Sequence, residues 1–369
     1  MSDVTPLFRE LSDQIGGFNE AALNSWIHIF NPFDLYHWSM NVIEILLIAG
    51  AVWGLLHAIS MRKTQGTLIN LGVWLAAVVF MLAIEIPVYF PHKIGLDPNA
   101  ILFIHNEFTI QFFYDRAPLY IMALYPALMY SCYVLVDEMG VFRQRWGTVI
   151  GAITVGFVHQ GFYEIFDHFG TQYGWWIWNY TNFIGSVASV PLGSLFGFAF
   201  LGPVALTLAV RLVLAPYLQK QEAKKQPINI ALFAGLTILA GVLIPLIQTL
   251  LMPINYMRLI FEVTPLIEAV VCFSLLALAA VVAVYQMSSK PNQATQSSRF
   301  AYHYLIGFLV IFAGLWAYAL PDYFAAVDGK TEQGLLVGSL PYTILCFVSC
   351  IFFIWRRRQA RAAQLTNLS

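Results

Sequence analysis

INIALFAGLTILAGVLIPLIQTLL, residues 228–251, runs for 24 positions without a charged side chain. A helix needs about 20 apolar residues to cross roughly 30 Å of hydrocarbon, so this stretch is long enough for one membrane span. Of the 369 residues, 59% are hydrophobic and 11% are charged, against about 25% charged in a typical soluble domain. The composition excludes a soluble fold for most of the chain.

Eight further apolar stretches have a similar length, so the predicted fold class is all-α, a polytopic transmembrane helical bundle. Its expected spans, about nine, are 41–59, 67–90, 117–137, 147–166, 191–215, 228–251, 264–286, 301–320 and 336–355. We expect three regions: an extracytoplasmic interfacial amphipathic segment (1–38), a transmembrane domain (39–355) and a basic cytoplasmic tail (356–369). Within the first region, apolar residues at near-helical spacing between Phe18 and Phe30 predict an interfacial helix.

Basic residues set the predicted orientation, because short cytoplasmic loops accumulate Lys and Arg. An odd number of spans then places the amino terminus outside and the carboxyl terminus in the cytoplasm. We expect a multi-pass protein of a bacterial cytoplasmic membrane, in contact with membrane lipid. Every second connection is basic, and so is the tail, through Arg62, Lys63, Arg143, Arg145, Lys220, Lys224, Lys225, Lys290, Arg299, Arg356, Arg357, Arg358 and Arg361.

Several classes of function lose their usual support. No basic patch with interleaved aromatic residues occurs, so no nucleic-acid partner is expected. The P-loop, GxGxxG, nucleophile-elbow and HExxH patterns are also absent. The four cysteines lie inside apolar runs, which is typical of small buried side chains and not of a disulfide or zinc framework: Cys132, Cys272, Cys346 and Cys350.

Ionisable side chains inside spans point to function, because they are expensive to place in hydrocarbon. On the predicted topology they gather toward the outer side of the membrane, which favours a polar pocket there over a path through the whole bilayer. Solvation of single acids in the headgroup region is the structural alternative. The set comprises Glu44, Glu85, His159, Glu164, Glu262, Glu268 and Asp322.

The densest group lies at the end of the fourth predicted span, between His159 and His168. On a helix, His159, Tyr163 and Asp167 form one i, i+4 row, and Glu164 and His168 form the adjacent row. A desolvated carboxylic acid can protonate a substrate with a neighbouring group as its partner. The same row could instead supply ligands for a transition metal, which is possible but not favoured because no strong metal-binding spacing occurs.

Two predicted outer loops are longer than a turn requires, 91–116 and 167–190. The second is aromatic, which fits an interfacial belt or the wall of a ligand pocket. Its aromatic residues are Tyr173, Trp175, Trp176, Trp178 and Tyr180. In the first loop, the adjacent Asp115 and Arg116 are interpreted as an ion pair at the start of the third span.

The sequence EIFDHFGTQYGWWIWN, residues 164–179, followed by Ser189, Val190 and Pro191, resembles a pattern of the membrane carotenoid-hydratase family of carotenoid biosynthesis. The resemblance covers about fifty residues. It implies acid-catalysed addition of water to an isoprenoid double bond, with Glu164 as the residue that carries the proton.

The favoured interpretation is a membrane enzyme, of hydratase/lyase or metal-dependent type, acting on a lipophilic, possibly isoprenoid, small molecule. Glu164 would be the acid, with Asp167 and His168 as partners and Glu85 and His159 as further contributors. Tyr163, Tyr173, Trp175, Trp176 and Trp178 would line the substrate pocket. The alternatives are a proton- or cation-coupled transporter, a membrane metalloenzyme, or a non-catalytic subunit of a membrane complex.

Overall fold

The computed structural model describes residues 4–19, 21–289 and 298–366. Both ends of the chain, 1–3 and 367–369, lie outside these residues. Lys290, one of the basic residues from which the orientation was predicted, also lies outside them. The helices are α1 Pro6–Asp13, α2 Ser39–Gln65, α3 Ile69–Tyr89, α4 Leu119–Glu138, α5 Gly147–Gln172, α6 Ser194–Ala223, α7 Ile230–Leu251, α8 Pro253–Met257, α9 Pro265–Ser289, α10 Phe300–Ala325 and α11 Leu340–Thr366.

Within the described ranges, nine helices are long and apolar enough to cross a membrane: α2 to α7 and α9 to α11. Their positions confirm the all-α bundle expected from hydropathy. The fourth span is longer than predicted, because α5 continues to Gln172 and takes in part of the expected loop. Local π-helical geometry occurs at Tyr125–Met129 in α4 and at Ser194–Leu201 in α6.

The bundle has an inner and an outer set of helices. In the most apolar window of each helix, 89% of residues are buried in α4 and 72% in both α5 and α6, against 28% in α7 and in α9. Helix α5 contacts α4, α6, α9, α10 and α11. It is therefore the central helix, and its polar side chains are enclosed by other parts of the chain.

Glycine allows the close packing around α5. A Cβ atom on Gly156 would lie 2.5 Å from Val204 Cγ2 and 2.7 Å from the Phe200 carbonyl oxygen, both on α6. A Cβ atom on Gly161 would lie 2.9 Å from Cys350 Sγ on α11. Larger residues at these positions would push the neighbouring helices away from α5.

A cap of short strands and loops covers one end of the bundle, formed by residues 21–38, 90–118 and 173–193. Its strands are β1 Ile27–Ile29, β2 Phe103–His105, β3 Ile110–Phe112, β4 Ala117–Pro118, β5 Trp176–Trp178, β6 Ser186–Val187 and β7 Val190–Pro191. Strand β3 pairs with β1 and with β4, β2 pairs with β5, and β6 with β7, all antiparallel. The two long loops therefore meet through β2 and β5.

The prediction of an interfacial helix between Phe18 and Phe30 is wrong. The described part of this segment contains a 3₁₀ turn at Ala22–Asn24 and then strand β1, which pairs with β3. The β-branched Ile27 and Ile29 fit a strand, and the partner strand lies more than eighty residues away, so local spacing could not reveal the pairing. A short helix forms earlier, at α1.

A buried ion pair joins α4 to α11 at the end of the bundle opposite the cap. Arg357 Nη2 lies 2.7 Å from Glu138 Oε2, and both side chains are almost fully buried. The other oxygen of Glu138 accepts hydrogen bonds from the backbone N–H and the hydroxyl of Ser298, each at 2.7 Å. This network fixes α11 against the inner helices.

We expect Arg357→Ala to lower the free energy of unfolding by about 3–5 kcal/mol, because it leaves the Glu138 carboxylate buried without its partner. Thermal unfolding of the detergent-solubilised protein would measure this loss. Arg358→Ala removes an exposed charge from the next position and serves as the matched control. Equal stability of the Arg357 and Arg358 variants would contradict the structural role of the pair.

Candidate functional site

The two predicted rows of side chains on α5 contact different neighbours. Glu164 and His168 face α11, where His168 contacts Ser339 and Tyr342. On the adjacent face, His159 contacts α6 and Tyr163 lies beside a cavity shared with α3 and α4. The structure thus places the five residues on one helix, but their side chains contact different neighbours and do not converge in one space.

Glu164 and His168 form a completely buried pair. Glu164 Oε2 lies 3.4 Å from His168 Nε2, and both side chains have 0% exposure. The N–H of Ser339 donates to His168 Nδ1 at 3.2 Å. Since Nδ1 accepts a hydrogen bond, the neutral ring carries its proton on Nε2, which faces Glu164. Neither oxygen of Glu164 has a hydrogen-bond partner among the residues that the structure describes, and the same is true of His168 Nε2.

An apolar space, the lipid-side cleft, lies next to this pair between α5, α9 and α11. Its volume is about 200 Å³. The Tyr342 ring forms part of its wall and lies 5.7 Å from the His168 ring, edge to face. The Gln160 amide donates to the Tyr342 hydroxyl. The cleft is lined by Phe157, Gln160, Gly161, Phe273, Leu276, Ala277, Ala280, Tyr342, Leu345, Cys346 and Ser349.

The lipid-side cleft lies near the surface of the bundle that faces the lipid tails. Leu345 is 63% exposed and Phe273 is 36% exposed, although both line the cleft. Large exposed apolar side chains on a membrane span face hydrocarbon tails. An apolar molecule could therefore reach the cleft sideways from the bilayer.

Asp167 is buried between α5 and α6. Its Oδ2 atom accepts a hydrogen bond from Ser194 on α6 at 2.9 Å, and the Trp178 indole lies against the same carboxyl group. Asp167 is also close enough to interact electrostatically with Glu164. The charge state of either carboxyl group therefore affects the other.

The second space, the inner cavity, is enclosed by α3, α4, α5, α6 and the paired strands β2 and β5. Its volume is about 20 Å³, which is room for a water molecule or a group of similar size. Glu85 accepts a hydrogen bond from the Tyr125 hydroxyl at its edge. The remaining lining residues are Phe103, His105, Ile121, Leu124, Tyr163, Phe166, Trp176, Trp178 and Phe198.

Three of the other predicted site residues have structural contacts away from both spaces. The Tyr173 hydroxyl donates to Asp322 at 2.7 Å, and Trp175 Nε1 donates to Ser39 Oγ at 2.9 Å. His159 Nδ1 lies 2.7 Å from the Ala199 carbonyl oxygen, to which it donates. Their predicted roles in catalysis and substrate binding stay predictions.

Sequence reasoning missed the partners that other helices supply. Tyr342 comes from α11, the Ser339 backbone from the position just before it, and Tyr125 from the π-helical part of α4. Gln160 was accessible to sequence reasoning, since it lies one turn before Glu164 in an otherwise apolar stretch. The four cysteines are free and buried, as their apolar surroundings predicted.

Asp115, in the cap, lies against a second carboxyl group, that of Glu107. Burial, first, and the nearby Glu107, second, together raise the pKa of Asp115 to about 9, against the opposing effect of Arg116. The guanidinium of Arg116 also lies 4.3 Å above the Phe8 ring. The predicted Asp115–Arg116 interaction is therefore one part of a larger cluster in which the acid is kept protonated.

The backbone around Asp115 is strained. Phe113, Tyr114 and Asp115 have φ angles of 56°, 58° and 63°, three successive residues in the left-handed region. Each such residue with a Cβ atom costs roughly 1–2 kcal/mol. The N–H of Phe113 donates to the Trp26 carbonyl at 2.9 Å, and the Trp26 ring packs edge-on against Phe113. These contacts hold the segment in place and direct Asp115 inward.

The long apolar helices of the described residues are consistent with an integral, multi-pass membrane protein. Comparisons with protein-family models, curated proteins and solved structures give no match for this chain. In the described part of the chain, no three His, Cys, Asp or Glu side chains lie close enough to share a metal ion. The two spaces beside α5 are therefore the features of the molecule that bear on its function.

We expect the stability of the protein to fall as the pH rises from about 4 towards 9, because native Asp115 keeps a proton that the unfolded chain releases near pH 4. The largest slope from this one group is about 1.4 kcal/mol per pH unit. Asp115→Asn should flatten the profile, as measured by thermal unfolding between pH 5 and 9. Asp97→Asn, at an exposed cap position, is the control. Parallel profiles for the wild-type and Asp115 proteins would refute this assignment.

Proposed function

We propose that this protein is a membrane enzyme in which Glu164 acts as an acid on a lipophilic substrate bound in the lipid-side cleft. The observation that carries the proposal is the buried Glu164–His168 pair next to an apolar cleft near the bundle surface. An extended isoprenoid chain has the apolar character that these walls would accept.

The geometry favours a neutral Glu164 whose proton is available. A buried carboxylate without a countercharge is costly, and the neutral Nε2–H of His168 offsets only part of that cost. Oε2 is the oxygen in contact with His168 Nε2, so we place the acid proton on Oε1; neither oxygen has a hydrogen-bond partner among the described residues. His168 is thus a positioning residue that orients Glu164 and stabilises its carboxylate after proton transfer.

The proposed reaction is addition of water to a carbon–carbon double bond. Glu164 Oε1–H protonates one carbon, and the neighbouring carbon becomes a carbocation. A water molecule forms the new C–O bond and returns a proton to the Glu164 carboxylate, so the acid is regenerated. The Tyr342 ring lies against the His168 ring of the pair, and the electrons of both rings could stabilise the positive charge. Asp167, held by Ser194, would add negative potential nearby.

We expect Glu164→Gln to lower turnover by about 10²–10⁴-fold, because the amide cannot donate a proton as an acid does. The protein would be reconstituted in vesicles with a polyene isoprenoid in ¹⁸O-labelled water, and the hydroxylated product counted by mass spectrometry. His168→Asn keeps an acceptor for the Ser339 N–H but removes Nε2, so it should reduce kcat more than it changes KM.

Glu44→Gln is the matched control for these variants. Glu44 is also a buried acid in a span, and its Oε1 accepts from the Thr109 N–H at 3.1 Å, a bond that the glutamine oxygen can keep. Its turnover should equal that of the wild-type protein. Unchanged turnover in a folded Glu164→Gln protein would overturn the proposal.

A second prediction concerns the cleft. Ala277→Phe fills part of the space between α9 and α11, so it should raise KM several-fold for a long isoprenoid while the thermal unfolding midpoint stays close to that of the wild type. Leu278→Phe, on the adjacent, 62% exposed position outside the cleft, should leave KM unchanged. Equal KM values for the two variants would exclude the lipid-side cleft as the substrate site.

A further inference from the structure

The inner cavity has a chemical character that the reaction at Glu164 does not use. It lies on the other face of α5, and Glu85 is the carboxyl group in its wall. We propose that the inner cavity is a binding site for the ammonium ion, held by Glu85 and surrounded by aromatic rings.

The walls of the inner cavity are mainly aromatic. Seven of its eleven lining residues are Phe, Tyr or Trp, contributed by α4, α5, α6 and both strands of the β2–β5 pair. Aromatic rings attract cations through the negative potential of their faces, most strongly where water is excluded. A lining of aromatic rings with a carboxylate among them is complementary to a positive ligand.

The lining of the cavity contains no cationic side chain that would compensate an ionised Glu85. Glu85 is 4% exposed, and the lining residues include no Lys or Arg. The Tyr125 hydroxyl donates to Glu85 and Tyr89 lies next to it, so both neighbours are neutral. A bound cation would supply the missing positive charge, which greatly reduces the cost of burying an ionised carboxyl group.

His105 adds a polar atom without adding charge. Burial lowers the pKa of His105 to about 3, so its ring is neutral and does not compete with a cation. Its Nδ1 atom lies 3.1 Å from the Tyr120 hydroxyl, whereas Nε2 has no hydrogen-bond partner within the described ranges. In the tautomer that carries its proton on Nδ1, the Nε2 atom is a free acceptor for a ligand N–H.

The size and the available ligands favour ammonium over a metal cation. The cavity volume of about 20 Å³ admits one group the size of water. Potassium has a similar size but requires several oxygen ligands, whereas this wall offers one carboxylate and tyrosine oxygens among rings. The N–H groups of ammonium can point at oxygen, at imidazole nitrogen and at ring faces, all of which are present.

Thermal unfolding and isothermal titration with ammonium chloride would test the proposal on the detergent-solubilised full chain. We expect a saturable rise of the unfolding midpoint that sodium chloride of equal ionic strength does not produce. Tetramethylammonium is too large for the cavity and should have no effect. Glu85→Gln should weaken binding at least ~10-fold, because the amide removes the countercharge.

The controls separate this site from the one at Glu164. Glu85→Gln should fold normally, with an unfolding midpoint without ligand equal to or above that of the wild type, since it removes a buried acid. Glu44→Gln and Glu164→Gln should bind ammonium as the wild-type protein does. Absence of saturable binding to the wild type, or an equal response in Glu85→Gln, would overturn the proposal, whatever the result at Glu164.

Discussion

The cost of burying charge in an apolar surrounding governs this structure. Helix α5 carries Glu164, Asp167 and His168 through the middle of the bundle, and all three are fully buried. Their partners are neutral donors: the Ser339 N–H, the Ser194 hydroxyl and an imidazole. In contrast, Glu138 at the opposite end meets Arg357 directly. The bundle therefore neutralises charge where helices are joined and leaves acids without a countercharge where the two spaces lie.

Hydropathy was sufficient to predict the bundle, because the length of an apolar run is a property of the local sequence. The spans formed by α2 and α7, for example, agree with their predicted positions to within a few residues, apart from six further residues at the end of α2. The strand β1 could not be predicted in this way. Its partner β3 lies far along the chain, and the hydrogen bonds between them decide the conformation of Ile27 and Ile29.

The candidate site was predictable only in part for the same reason. Periodicity on α5 gave the i, i+4 relation of Glu164 and His168, which the structure contains as a contact. It could not indicate that Tyr163 faces α3 and α4 while Glu164 faces α11, since the order of helices around the bundle is not encoded in spacing. The separation of Glu85 from Glu164 follows from that order. The acids that were predicted to gather in one outer pocket thus lie beside two spaces in the molecule.

Because the lipid-side cleft is exposed on the side of the bundle, the concentration of a ligand in the bilayer would control its binding. A ligand that enters between α9 and α11 comes from a two-dimensional solution, so its relevant concentration is its mole fraction in the bilayer. Added phospholipid would dilute such a ligand even when its amount per volume of sample stays constant. Chain length and membrane thickness would then select among ligands as effectively as the side chains of Phe273 and Leu345 do.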